Sequence, residues 1–226
     1  SVASAPGHLS DHVRDLQRLL ARRPAVAVGH SFGAHVAMAA AATRSSVRAI
    51  VAWEPPLPWL GPWARAAPGR ARPGAELDGV AVEAFLRRLL GESRWAQLPE
   101  RTRAARRAEG PALAADMACL ESETMPFELS DVAVPVIVGM GTDSTDYHRQ
   151  ACRELVAALP RGELVEVAGA GHGAHRSHPS ALAQLVERAV ALAGIPARQE
   201  EPGPVGTAVP DAPGARGGTG TLDAAS

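Results

Sequence analysis

The sequence predicts an α/β protein, a parallel sheet with flanking helices that is interrupted by a helical insertion. Three observations carry this expectation. Short apolar runs at residues 25–28, 47–53 and 135–140, and a further strand at 163–167, alternate with longer segments whose apolar residues recur at helical spacing. The first strand-to-helix junction bears the pattern Gly29-His-Ser31-Phe-Gly33, and a late loop, Gly171-His172-Gly173, follows the last strand. Strand, helix, strand in succession is the unit of a parallel sheet.

A chain of 226 residues is one domain with an insertion, or at most two small ones, and is long enough to bury a substantial core. The formal net charge of -1 argues against nucleic acid as a principal partner. All of its basic side chains are arginines, with no lysine, and the chain has no asparagine either, a pattern of coding bias rather than of phosphate recognition. The arginine-rich stretch at 101–107 therefore reads as a solvated helix face. Cys119 and Cys152 are too few for a disulfide framework and lack metal-type spacing, so each reads as a small buried apolar residue. Residues 1–7 show no basic region leading into an apolar one, and no apolar run reaches membrane-spanning length. The expected location is the cytoplasm, with no membrane partner.

Taken in order, residues 8–23 predict an amphipathic helix, with Leu9, Val13, Leu16, Leu19 and Leu20 on its apolar side. Ser10 or Asp11 would cap it and Pro24 would end it. The strand to Val28, the Ser31 turn and an alanine-rich helix from about Phe32 follow, then a strand at 47–53 stopped by Glu54-Pro-Pro. Residues 1–54 thus form the first part of the α/β core. From 55 to 132 the character changes to prolines and glycines, then to charged helical segments at 80–90, 100–109 and 111–122, read as a helical insertion over the sheet. Its tryptophans, Trp59, Trp63 and Trp95, together with Trp53, read as structural packing that a lid could also use to line a pocket. Residues 133–195 resume the core: a strand at 135–140, a loop at 141–146, a helix at 147–159, a strand at 163–167, a loop at 168–179 and a last helix at 180–193. Residues 196–226, rich in Pro, Gly, Ala and Thr, are expected to be disordered.

The chemistry of the Ser31 turn explains its spacing. A serine hydroxyl raised clear of a sheet needs a sharp, strained turn, and Gly29 and Gly33 would keep the strand and the arriving helix free of side-chain clashes. The backbone N–H of Phe32, at the helix N-terminus, would face a developing oxyanion. A competing reading makes this a glycine-rich turn of another doubly wound protein, with Ser31 an ordinary N-cap. These residues resemble the nucleophile elbow of the α/β-hydrolase family, whose chain order places an acid and then a histidine after the serine.

That order selects Asp143, just after the 136–140 strand, as the acid and His172 as the base. Parallel strands bring such loops to one edge of the sheet, so they would converge on Ser31. Asp146 and Glu54 are alternative acids. Glu54 follows the strand next to the elbow, where some family members carry the acid, and its simpler role is a polar contact at the site mouth or with the lid. His172, His175 and His178 form a His-x-x-His-x-x-His run that could suggest metal, but no cysteine or paired carboxylate accompanies it, and no metal or cofactor is expected. The resemblance implies acyl transfer from a small-molecule ester, thioester or related substrate through a Ser-His-Asp triad. It spans residues 8–195 and corresponds to the second part of the family fold. Several early strands, and a His-Gly motif supplying a second oxyanion N–H, have no counterpart ahead of the first helix. The sequence thus reads either as a serine hydrolase whose native chain carries a further N-terminal segment, or as a truncated or degenerate non-catalytic protein or interaction module.

Overall fold

In the computed structural model, residues 8–43, 45–59, 78–120 and 125–195 are described here. Four strands, β1 (Ala25–His30), β2 (Val47–Trp53), β3 (Val136–Gly141) and β4 (Gly162–Val167), pair in sequence order, and every pair is parallel. The apolar runs end where expected to within two residues. β2 and β3 are the central strands, and their near-continuous Val/Ile/Ala content follows from burial on both faces. β1 and β4 form the edges, and Val28 on β1 is half exposed.

Helices cover both faces. α1 (Leu9–Leu20), α2 (Phe32–Ala41) and α7 (Asp146–Ala158) pack one side around Met38, Ile50, Val138, Met140 and Leu155. After the single turn α8 (Ala174–Ser177), α9 (Pro179–Ala193) covers the other side, setting Leu185 and Ala189 against Val51, Trp53 and Ile137. α1 is capped by His8 rather than Ser10: the His8 N–H donates to the Asp11 carboxylate at 2.9 Å. It stops at Leu20, short of Pro24, because Ala21 and Arg22 turn into left-handed backbone. Cys152 is fully buried under β3, as its small apolar character implies, and burial pushes its thiol up to about 12.

Between β2 and β3 the chain makes a helical excursion through α3 (Gly79–Leu90), α4 (Glu92–Ala96), α5 (Glu100–Arg107) and α6 (Gly110–Cys119). α4 was not anticipated, since one helical turn is too short for a periodic signal. The excursion has its own anchor in Glu83, which accepts from Arg87, from Arg107 at 2.7 Å and from the indole N–H of fully buried Trp95 at 3.1 Å. Arg107 is thus a tie within the excursion rather than part of a solvated face, although α5 buries no residue. Trp53 is fully buried in the core, Trp59 is half-buried against His35, and Trp63 lies outside the described residues. So does the 196–226 segment. A short 3₁₀ turn (Leu129–Asp131) leads into β3. No helix among the described residues is long and apolar enough to cross a membrane.

Where the chain leaves β2 it is clamped to α2. His35 is fully buried, and its Nε2–H donates to the Pro56 carbonyl, while Leu57 is buried beside it. That donor fixes the tautomer, so Nδ1 carries a buried lone pair without a partner. Burial lowers the His35 pKa to about 4. In the unfolded chain the imidazole takes up a proton below about pH 6.5, whereas the folded protein keeps it neutral down to about 4. Its contribution to stability is therefore complete above pH 6.5 and is lost as pH falls toward 4, amounting to about 3 kcal/mol. Urea unfolding at pH 7.5 and pH 5 tests this. His35→Gln, which retains a donor for Pro56, is expected to lose measurably less stability between the two pH values than the parent chain, and equal losses would remove His35 from the account.

Candidate active site

The register of the parallel strands sets which residues meet at the sheet edge. His30 lies opposite Trp53, and Trp53 lies opposite Gly139. The next residues, Ser31 after β1 and Glu54 after β2, therefore leave the same edge side by side. Ser31 N–H donates to the Trp53 carbonyl at 2.9 Å, and Glu54 N–H donates to the Gly139 carbonyl at 3.1 Å. Both residues have left-handed backbone, with φ of 54° at Ser31 and 43° at Glu54. Non-glycine residues adopt this region at a cost, and such strain concentrates at functional sites.

Ser31 occupies the turn between β1 and α2 with ψ of -124°, and its side chain makes no bond to the helix it precedes. It is not an ordinary N-cap. Phe32 is the first residue of α2, so its N–H is one of those that helical bonding leaves free. Gly29 is required sterically, because a Cβ there would lie 2.4 Å from the Cα of Ala34. Gly33 differs from the expectation: a Cβ at that position meets nothing within 4 Å, since it points away from β1 into open space.

His172 and its carboxylate partner are 118 residues apart in the chain. His172 Nδ1 lies 2.9 Å from Glu54 Oε2. Glu54 is fully buried, and its other oxygen accepts from the Gly141 amide at 2.8 Å and from the Ser144 hydroxyl. Burial acts against the charge on Glu54, but the hydrogen bonds from His172, Ser144 and Gly141 outweigh it and hold the carboxyl below its ordinary range. The carboxylate that meets His172 is thus Glu54, the alternative, rather than Asp143. Asp143 is exposed, its carboxylate accepts from the neighbouring Thr142 hydroxyl at 3.2 Å, and its backbone N–H is spent on the Ala170 carbonyl. Asp146, the other alternative, is solvent-facing at the start of α7 and pairs with Arg149. The end of β3 contributes the Gly141 amide and the loop after it contributes Ser144 to Glu54.

Histidines crowd around His172. His30 Nε2–H donates to the His172 carbonyl at 2.7 Å, tying the elbow to the histidine loop. Burial, then the charge of His172, lowers the pKa of His30. His148, on the first turn of α7, stacks on the His172 ring with centroids 4.4 Å apart and planes 15° from parallel. Burial and His172 bring its pKa down to about 4, so it is neutral at pH 7. The ligand-type atoms that converge are not those of the 172–175–178 run. Among the described residues they belong to Glu54, His148 and His172, all within 4.8 Å of one another. His175 is exposed near His30, and His178 bonds Ser177. His148 and Ser144 escaped the sequence reading, because neither lies in a motif and only the fold brings α7 over His172.

The sequence matches the alpha/beta hydrolase family over residues 3–185. No curated protein matches it. Its structure is similar to a hydrolase from Pseudomonas aeruginosa PA01, at 24% identity and a TM-score of 0.63, covering 86% of this chain and 75% of the other. A bromoperoxidase from Bacillus anthracis is similar at 16% identity and a TM-score of 0.59, with 84% and 77% covered. A structure from a study of carboxylesterases of Nitrososphaera gargenis is similar at 19% identity and a TM-score of 0.55, with 84% and 74% covered. At these identities the likeness is one of fold.

One glycine sets the spacing of the site. A Cβ on Gly141 would fall 1.9 Å from the Ala170 carbonyl oxygen and 2.9 Å from the Gly171 nitrogen, forcing the β3 and His172 loops apart. Gly141→Ala is expected to lower stability by about 2–4 kcal/mol, measured by urea denaturation. Gly33→Ala, in open space on a helix, is expected to be neutral or to stabilise by up to about 1 kcal/mol. Equal effects at the two positions would contradict the assignment.

Proposed function

The chain belongs to the alpha/beta hydrolase family, and on that premise we propose that it is a serine hydrolase acting on a small-molecule ester, thioester or related acyl substrate through Ser31, His172 and Glu54. The observation that carries this reading is the 2.9 Å contact between His172 Nδ1 and a fully buried carboxylate, on the same sheet edge as a serine held in a strained turn.

The roles follow from the geometry. Glu54 accepts from His172 Nδ1–H, so the proton sits on Nδ1 and Nε2 keeps its lone pair. Nε2 takes the proton from Ser31 Oγ as the oxygen attacks the acyl carbon, and the carbonyl π electrons move onto its oxygen. Phe32 N–H, at the positive end of α2, donates to that oxyanion. Collapse expels the leaving group, which receives the proton from His172, and water repeats the sequence to release the acid and free Ser31. Glu54 remains ionised throughout, offsetting the charge on His172. The α3–α6 excursion lies between Glu54 and β3 in the chain, with α3 starting at Gly79, where a lid over the acyl site would be inserted.

A fluorophosphonate probe on the unmodified chain, read by intact mass and peptide mapping, tests the reading. Labelling is expected at Ser31 and is expected to vanish in Ser31→Ala. Glu54→Gln is expected to slow labelling by about 10³- to 10⁴-fold, since it removes the group that orients and offsets the histidine. Asp143→Asn is expected to stay within about threefold of the parent, and the reverse ranking would restore Asp143 as the acid. A folded chain that takes no label would defeat the reading and favour a non-catalytic member of the family.

A further inference from the structure

We propose that Glu54, His148 and His172 form a binding site for a divalent ion of the zinc class, and that its occupancy switches off the acyl-transfer site. The switching half rests on the serine-hydrolase reading, whereas the binding half stands without it.

Two imidazoles and one carboxylate are a donor set that Zn²⁺ accepts, usually with water in the fourth position. Mg²⁺ and Ca²⁺, which prefer oxygen ligands, are poorly matched to it. A tetrahedral ion with bonds of about 2.0–2.1 Å holds its ligand atoms about 3.3 Å apart. Glu54 Oε2 and His172 Nδ1 already stand at 2.9 Å, and the ligand atoms of all three residues lie within 4.8 Å. His148 therefore needs to close at most about 1.5 Å and to swing out of its stack on His172, since near-parallel rings cannot aim both in-plane lone pairs at one ion, and a side-chain rotation supplies both.

The outer contacts match those of a metal site. Imidazoles that bind metal commonly give their other ring N–H to an oxygen. His148 Nδ1 lies 3.0 Å from Thr145 Oγ1, which leaves Nε2 as the ring nitrogen available to an ion. The second oxygen of Glu54 is held by the Gly141 amide and the Ser144 hydroxyl, so the carboxylate is already aimed. The two bonds to Glu54 Oε1 survive the entry of an ion, which replaces the hydrogen bond between Glu54 Oε2 and His172.

Entry has a definite consequence for the proton. The ion takes the Nδ1 lone pair of His172 and the proton formerly on Nδ1 moves to Nε2, so the ring stays neutral overall. Nε2–H cannot accept the proton of Ser31. Metal and acyl transfer thus compete for one tautomer of one ring, and the ion acts as an inhibitor rather than as a source of hydroxide.

The experiment is a Zn²⁺ titration of the tag-free full chain against a chromophoric chelator, with Co²⁺ absorption as a probe of geometry. One ion per chain is expected, with a tetrahedral Co²⁺ spectrum and no competition from Mg²⁺. His148→Ala and Glu54→Gln are each expected to weaken binding at least about tenfold, whereas His175→Ala and His178→Ala leave it unchanged. Circular dichroism confirms that each variant is folded, and the Co²⁺ spectrum of the parent chain is informative even if one is not. An octahedral spectrum, no stoichiometric binding, or binding lost with His175 or His178 instead would overturn the site. In the same preparation, Zn²⁺ is expected to suppress fluorophosphonate labelling of Ser31, and a chelator to restore it. Stoichiometric Zn²⁺ that leaves labelling intact would overturn the switch. A chain that binds Zn²⁺ but takes no label under any condition keeps the site and overturns the switch along with the hydrolase reading.

Discussion

A carboxylate with no access to water is the constraint on which the rest of this structure depends. Removing an ionised group from water costs several kcal/mol unless its lone pairs are satisfied. Glu54 meets this demand with three donors: the Gly141 amide, the Ser144 hydroxyl and the His172 imidazole. These come from the end of β3, the loop before α7, and the loop after β4. One buried charge therefore gathers three separate stretches of chain, and none of them can drift without leaving it uncompensated. The same demand accounts for Gly141, where any side chain would collide with the Ala170 carbonyl and move the amide off Glu54.

The parallel sheet supplies the rest. Because all four strands run the same way, their carboxyl ends deliver Ser31, Glu54, Gly141 and the His172 loop to a single edge. The two residues that must depart most sharply from the sheet, Ser31 and Glu54, are next to one another in register, and both are held in left-handed backbone by strand-to-strand hydrogen bonds. Strain at one is thus braced by the ladder that also carries the other. His30 adds a further brace by donating to the His172 carbonyl across the site.

Much of this was legible in the sequence, for identifiable reasons. Apolar runs mark β2 and β3 most clearly because central strands of a parallel sheet are buried on both faces. The Gly29-to-Gly33 pattern marks the elbow because backbone this tight excludes side chains at Gly29, although Gly33 turned out to have room. His172 stood out because glycines flank it in a loop that follows a strand. The carboxylate was harder. Asp143 sits in the loop expected for an acid, but it is exposed, which no local pattern encodes. Glu54 was among the alternatives, but its selection needed the three donors that surround it. His148 gave no signal at all, since its stacking on His172 comes from the packing of α7 against β3 and β4.

The clamp at Pro56 changes how the helical excursion relates to the site. Glu54 stands at the root of a long loop of chain, and any tug on that loop would reach the carboxylate first. Two residues later the backbone is gripped by His35, and Leu57 is wedged into the core directly after. The arrangement works as strain relief does on a cable, by absorbing pull before it reaches the connection. A displacement of helices α3 to α6 would meet this clamp before it reached the carboxylate. Variation in what sits above the sheet is thereby uncoupled from the chemistry at its edge.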